Sequence, residues 1–162
     1  MIVVSNTSPI MNLAIIGQLN LLNRLYGKVF IPEAVLHELS IVDSEESGFM
    51  KIQSHLWIEK RFITNPSLVD ALLFDLDVGE AEAIVLAKEV KADLLLIDEH
   101  RGRKIASRLG LKVIGLLGVL VEVKHRGFVN RVKHILDELI EKAGFWISSQ
   151  LYKRVLYETG ES

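Results

Sequence analysis

The 162-residue sequence predicts an α/β fold with a central parallel sheet covered by helices on both faces. Three observations carry this. Short apolar runs rich in β-branched residues alternate with longer stretches of helical period. The runs are apolar throughout, which suits strands buried on two faces. Proline and glycine stand where helices would start and stop.

The first strand is "IVV" (2–4), and residues 8–16 read as a helix with Pro9 in its first turn. A second helix, near 19–26, stops at Gly27. "VFI" (29–31) is the next strand. Pro32 then opens a helix with Ala34, Val35, Leu36 and Leu39 on its apolar side. "SEESGF" (44–49) is polar and loop-like, with part able to continue that helix. "LWIEKRFI" (56–63) reads as an edge or accessory strand.

A helix begins in "NPSLVDALLF" (65–74), and Gly79 precedes another, "EAEAIVLAKEV". "DLLLID" (93–98) is a buried strand ending in an acid. "RKIASRLGL" is a helix stopped at Gly110, "KVIG" (112–115) a strand, and "GVLVEVKHRG" a helix closed by Gly127. Two further helices, from about 129 to 158, part near Gly144. With no linker, repeat or low-complexity segment, the expectation is one domain over 1–162. Its core covers about 1–127 and a helical extension about 128–162.

Hydrophobic residues make up 49% of the chain, ample for one core. A net charge of -2 and a pI near 6.2 give no global basic signature, so nucleic-acid contact must rest on a local patch. The absence of cysteine excludes disulfides, thiolate metal sites and cysteine nucleophiles. Mean hydropathy is high at +0.29. The most apolar run, 113–123, is too short to span a bilayer and holds Glu122. No signal-type segment opens the sequence. The expectation is a soluble cytoplasmic chain, with its excess apolar surface used in self-association.

Ligands of open parallel sheets bind outside the carboxyl ends of the strands. Two polar clusters fall at that edge: Ser5-Asn6-Thr7-Ser8 after the first strand, and Asp98-Glu99 after "LLLI". Glu38 and Glu80 lie on helices near strand ends. Asn6, Glu38, Glu80 and Asp98 together supply only oxygen donors, which suit Mg²⁺ or Mn²⁺. Grouped carboxylates repel one another unless a cation neutralises them. Such an ion activates water and stabilises charge on a phosphoryl oxygen. Ser8 is placed to hydrogen-bond a ligand.

Each residue also has a plainer reading. Asn6 or Ser8 would cap the first helix, and Glu80 and Glu82 would favour the dipole of theirs, with Glu82 solvated. Asp98 would cap the helix after it. Arg101, Lys104 and Arg108, at i, i+3 and i+7, form a basic helical face suited to phosphates or simply to solvent. His37 and His100 adjoin the acids, but sequence neighbours on a helix point elsewhere. A second basic run, "KHRGFVNRVKH" (124–134), carries Phe128 as its only aromatic.

In motif order, "VVSNTSPI", "IPEAVLHEL", "GEAEAIVLA" and "LLLIDEHRGRKIASRLGLKVIGLLGVL" resemble the PIN-domain family over roughly residues 1–127. The tail "GFWISSQLYKRVLYETGE" is similar to the closing segment of a branch related to VapC-type toxins. The resemblance implies a three-layer α/β fold and a Mg²⁺- or Mn²⁺-dependent ribonuclease. It places the four acidic positions on Asn6, Glu38, Glu80 and Asp98, with Glu99 as the alternate for Asp98 and Ser8 as the auxiliary hydroxyl. Arg101, Lys104 and Arg108 would contact RNA phosphates. A homodimer and a small antitoxin partner are also implied.

Asn6 departs from the family pattern, which usually has Asp there. The loss of one negative charge leaves open a weak nuclease, a one-metal nuclease, or an inactive module binding RNA or protein. A receiver-like domain fits less well, because Ser5-Asn6 stand where paired acids are needed. Neither a phosphate-binding glycine fingerprint nor a G-x-S-x-G elbow is present.

Overall fold

A computed structural model describes residues 1–45 and 54–162. It holds a five-stranded sheet formed by β1 (Val3–Ser5), β2 (Val29–Ile31), β3 (Ile58–Lys60), β4 (Leu94–Leu96) and β5 (Val113–Ile114). The strand order is β3-β2-β1-β4-β5, and every pairing is parallel. Helices cover both faces, as the sequence predicts.

Adjacent residues of one strand feed different cores, because their side chains point to opposite faces. Val3, Leu94 and Leu96 join a cluster with Ile10 and Leu13 of α1 (Thr7–Ile15), Leu22 of α2 (Asn20–Tyr26), and Val35 and Leu39 of α3 (Glu33–Glu45). The same cluster takes in α7 (Leu116–His125), α8 (Lys133–Lys142) and α9 (Ser149–Glu158). On the other face Val4 and Leu95 pack with α5 (Val78–Glu89) and α6 (His100–Arg108). The short α4 (Pro66–Leu72) lies on α5 through Val69, Ala81 and Val85.

The 56–63 segment is an edge strand, shortened to β3 and paired with β2. α3 runs on through Ser44 and Glu45, and 46–49 of "SEESGF" lie outside the described residues. Helix starts differ from the sequence reading by two residues or more in α5, α6, α7 and α8, the last of which starts at Lys133 rather than near 129. α5 begins at Val78, ahead of Gly79, because Asp77 caps it. α6 begins at His100, with Glu99 as its cap. α7 begins at Leu116, so Gly118 is interior. In the first two, a side chain satisfies amides that would otherwise be orphaned at the helix start. No helix among the described residues is long and apolar enough to cross a membrane.

The chain order reverses at β1: β2 and β3 lie to one side, β4 and β5 to the other. Parallel sheets leave a crevice at such a switch point, beyond the strands' carboxyl ends. Asn6 follows β1 there and Asp98 follows β4.

Candidate functional site

Asn6 donates its backbone N–H to Leu96 O at 2.9 Å, extending the β1–β4 pairing past the strand end. By position it is the N-cap of α1, but its side chain makes no capping bond. Its Oδ1 is buried and has no hydrogen-bond partner. The plainer reading of Asn6 as a side-chain cap is therefore corrected. Ser8 does not cap either: its Oγ accepts from Asn12 Nδ2 at 3.2 Å.

Glu80 belongs to a reciprocal cap. Its N–H donates to Asp77 Oδ1 at 2.8 Å, and its Oε1 accepts from Asp77 N at 3.1 Å. This occupies one carboxylate oxygen. The other, Oε2, is buried without a partner. Glu80 is 6% exposed. Burial raises its pKa to about 7; the Asp77 amide opposes the rise, while the Asp77 and Glu99 charges add to it.

Asp98 Oδ1 accepts from Leu116 N at 2.6 Å, tying β4 to the start of α7. Its Oδ2 is the third buried oxygen without a partner. Burial raises its pKa, against the lowering effects of the Leu116 amide and Arg103. Glu99 is used differently. It is exposed and caps α6 by accepting from Gly102 N at 2.9 Å, which lowers its pKa.

Glu38 is half-buried, and its Oε2 accepts from Thr7 Oγ1 at 2.5 Å. Thr7, one residue before Ser8, is thus the hydroxyl that bonds an acid. Glu82 is not the solvated residue expected: it is half-buried, and its Oε1 accepts from Ala34 N at 3.0 Å. It therefore links α5 to the start of α3. His37 and His100 are exposed.

Three glycines give the acids room. A Cβ on Gly79 would stand 2.5 Å from Glu38 Oε1. One on Gly102 would stand 2.7 Å from Ile97 Cδ1 and 3.3 Å from Glu80 Oε2, and one on Gly115 3.0 Å from Asp98 Oδ1. None of the three has a positive φ, so space rather than backbone conformation makes glycine fit there.

The expected basic face is redistributed. Lys104 and Arg108 line a groove of about 700 Å³ with His100, Arg103, Ser107 and Val113. Arg101 is not part of it; its Nη1 donates to Asp75 O at 3.5 Å. Arg103 connects the groove to the acids, since its Nη1 and Asp98 Oδ1 both lie against Gly115.

Buried polar atoms are normally hydrogen-bonded, and leaving one unsatisfied costs roughly 1–3 kcal/mol. Among the described residues, Asn6 Oδ1, Glu80 Oε2 and Asp98 Oδ2 are the buried side-chain atoms left without a partner. All three are oxygens. Such a donor set suits a hard cation. No three Asp, Glu or His side chains among the described residues are grouped to hold a metal ion by themselves. Mg²⁺ commonly binds through one or two carboxylates and keeps several waters. The residues present fit that mode rather than a cage built only from protein atoms.

A family model described as a PIN domain matches residues 2–161. The chain belongs to the PIN-domain family. PIN domains are generally nucleases and typically use divalent metals. Neither a curated protein nor a solved structure matches the chain. The family match runs through α8 and α9, so these helices fall within the matched region.

Asp77 has no place in the sequence reading, and Thr7 and Arg103, which lie in its polar cluster and its basic run, have no assigned contact there. Asp77 was legible as the D-x-x-E spacing of a capping box. The other two contacts carry no local signal.

Proposed function

We propose that this PIN domain is a metal-dependent ribonuclease that hydrolyses RNA phosphodiesters. Asn6, Glu80 and Asp98 are its candidate ligands for Mg²⁺ or Mn²⁺. Glu38 is a fourth candidate ligand, and Glu99 is the alternate to Asp98. The observation that carries this reading is the set of three buried, unpartnered oxygens on three separate elements. A bound divalent ion would lower the pKa of water and stabilise charge on a phosphoryl oxygen.

The chain's own residues supply the rest. Glu80 Oε1 stays fixed by the Asp77 amide, leaving Oε2 free to bind. Near neutral pH in the metal-free protein that carboxyl holds a proton part of the time, which cation binding displaces. Lys104, Arg108 and Arg103 offer charge to successive phosphates along their groove. Arg101, turned to Asp75, is left to contact phosphate outside it. With a net charge of -2 over the chain, this binding rests on these local cations, and it weakens as salt rises in proportion to the phosphates they contact.

The resemblance of the tail supports a place beside VapC-type toxins, with a homodimer and a small antitoxin as partners. Co-purification with the product of a neighbouring gene tests that placement. Asn6 favours a second reading, a PIN domain that binds RNA without cutting it.

The deciding experiment is cleavage of a mixed RNA panel with Mn²⁺. Wild type should cut, chelation should abolish cutting, and Asp98→Ala and Glu80→Gln should each lose roughly 100-fold or more. Undiminished cutting by Asp98→Ala would remove it from the site. RNA binding without cleavage in wild type would favour the second reading.

A further inference from the structure

We infer that Thr7 and Gly79 are positioning residues that clamp the Glu38 carboxylate from two sides, an inference that rests on the nuclease reading above. Each neighbours a candidate ligand in sequence: Thr7 follows Asn6, and Gly79 precedes Glu80. Thr7 Oγ1 donates to Glu38 Oε2 at 2.5 Å. On the other side, the bare Cα of Gly79 leaves the space in which Glu38 Oε1 sits. A Cβ there would stand 2.5 Å from Oε1 and 3.1 Å from both Cδ and Oε2. Glu38 itself comes from α3, so three elements meet at one carboxylate.

Gly79 lies within α5 and does not have a positive φ. Alanine is the better helix former at such a position. Helix stability alone would therefore favour alanine over glycine there. The atom an added methyl would meet is the far end of a flexible side chain. The fold would yield to the methyl by moving the carboxylate, with α5 left intact. A residue that only held the fold together would lose stability on substitution; this one should lose the placement of Glu38 instead.

The test measures Mn²⁺ affinity through the resonance of the free ion, alongside thermal midpoints in chelator. The variants are Glu38→Gln, Thr7→Val, Thr7→Ser and Gly79→Ala. Thr7→Val and Gly79→Ala should weaken Mn²⁺ binding by about tenfold or more, as loss of ligand-orienting partners does. Thr7→Ser should keep wild-type affinity, and Gly79→Ala should keep or raise the midpoint. Wild-type affinity in Gly79→Ala and Thr7→Val would overturn the clamp, provided that Glu38→Gln weakens binding. If Glu38→Gln does not change Mn²⁺ affinity, Glu38 is no ligand and that part of the nuclease reading fails. The clamp is then decided by a double-mutant cycle of Thr7→Val with Glu38→Gln on metal-free stability. Non-additive losses support it, and additive ones overturn it.

Discussion

Glu80 and Glu161 are both shielded carboxylates, with 6% of the residue exposed in Glu80 and 6% of the side chain in Glu161. They are used in opposite ways. Glu161 accepts from Val132 N at 2.9 Å and Lys133 N at 3.1 Å, and its Oε2 lies 3.3 Å from Lys124 Nζ. Lys124 also donates to Asn130 O. Burial pushes the Glu161 pKa up, but the two amides and the lysine outweigh it, and the net shift is downward. In Glu80 one oxygen caps α5 and the other has no partner, so burial prevails. The tail uses its carboxylate to join the start of α8 to α7. The sheet edge leaves oxygens unsatisfied, at a cost that a bound cation would offset.

The largest effect that would break this contrast is on the tail side. Glu161→Ala leaves two amides without their acceptor and removes the ion-pair partner of Lys124, which keeps only Asn130 O. It should cost about 3–4 kcal/mol, or a fall in the midpoint of roughly 10 °C. RNA cleavage per folded molecule should stay at the wild-type rate. Denaturant unfolding and a cleavage assay at low temperature check both halves. A variant of normal stability and lost activity would move the site towards the tail.

The two carboxylates should also give opposite pH dependences in chelator. Glu80 has a folded pKa of about 7 against an ordinary 4.5. Between those values the folded state binds the extra proton, so stability falls as pH rises. The Glu80 contribution is complete below pH 4.5 and lost through about pH 7. Asp98 acts with the same sign, from its ordinary 3.8 upward. Glu161, with its lowered pKa, stabilises above 4.5 and loses that contribution as pH falls. Glu80→Gln should therefore flatten the decline between pH 4.5 and 7 and exceed wild type at pH 8 by about 2–3 kcal/mol. Unfolding midpoints across that range decide it; an unchanged slope would mean that Glu80 is ionised without penalty.

The sequence made the sheet legible because its strands are buried on both faces. Val3-Val4 and Leu94-Leu95-Leu96 read as apolar runs for the same reason that they feed two cores. Asn6 and Asp98 were legible as polar residues ending such runs. What escaped depends on distance. Thr7 and Glu38 are 31 positions apart, and no local pattern pairs them. Glu82 reads as solvated on its own helix; only the packing of α3 on α5 brings Ala34 N to it. Arg103 falls off the i, i+3, i+7 face of α6 yet lies beside Asp98, because β5 and the start of α7 close around that residue. Gly79 read as a helix boundary, and its use became visible only with Glu38 against it.

Asn6→Asp is the mildest change and tests the contrast at its centre. It keeps the size and shape of the side chain and the position of Oδ1, and adds one negative charge where no hydrogen-bond donor waits. Without metal, that charge is buried with no donor bonded to Oδ1, and stability should drop by about 1–2 kcal/mol. With Mn²⁺ the same charge becomes a second ligand oxygen, and affinity should tighten about tenfold. The two shifts have opposite signs only if Oδ1 faces the bound ion, because a carboxylate turned elsewhere would destabilise the protein in both conditions. Midpoints with and without Mn²⁺ separate these outcomes. Tighter binding with faster cleavage would show that the amide limits catalysis through charge. Tighter binding with unchanged cleavage would place the limit at the groove of Lys104 and Arg108, where the substrate is held.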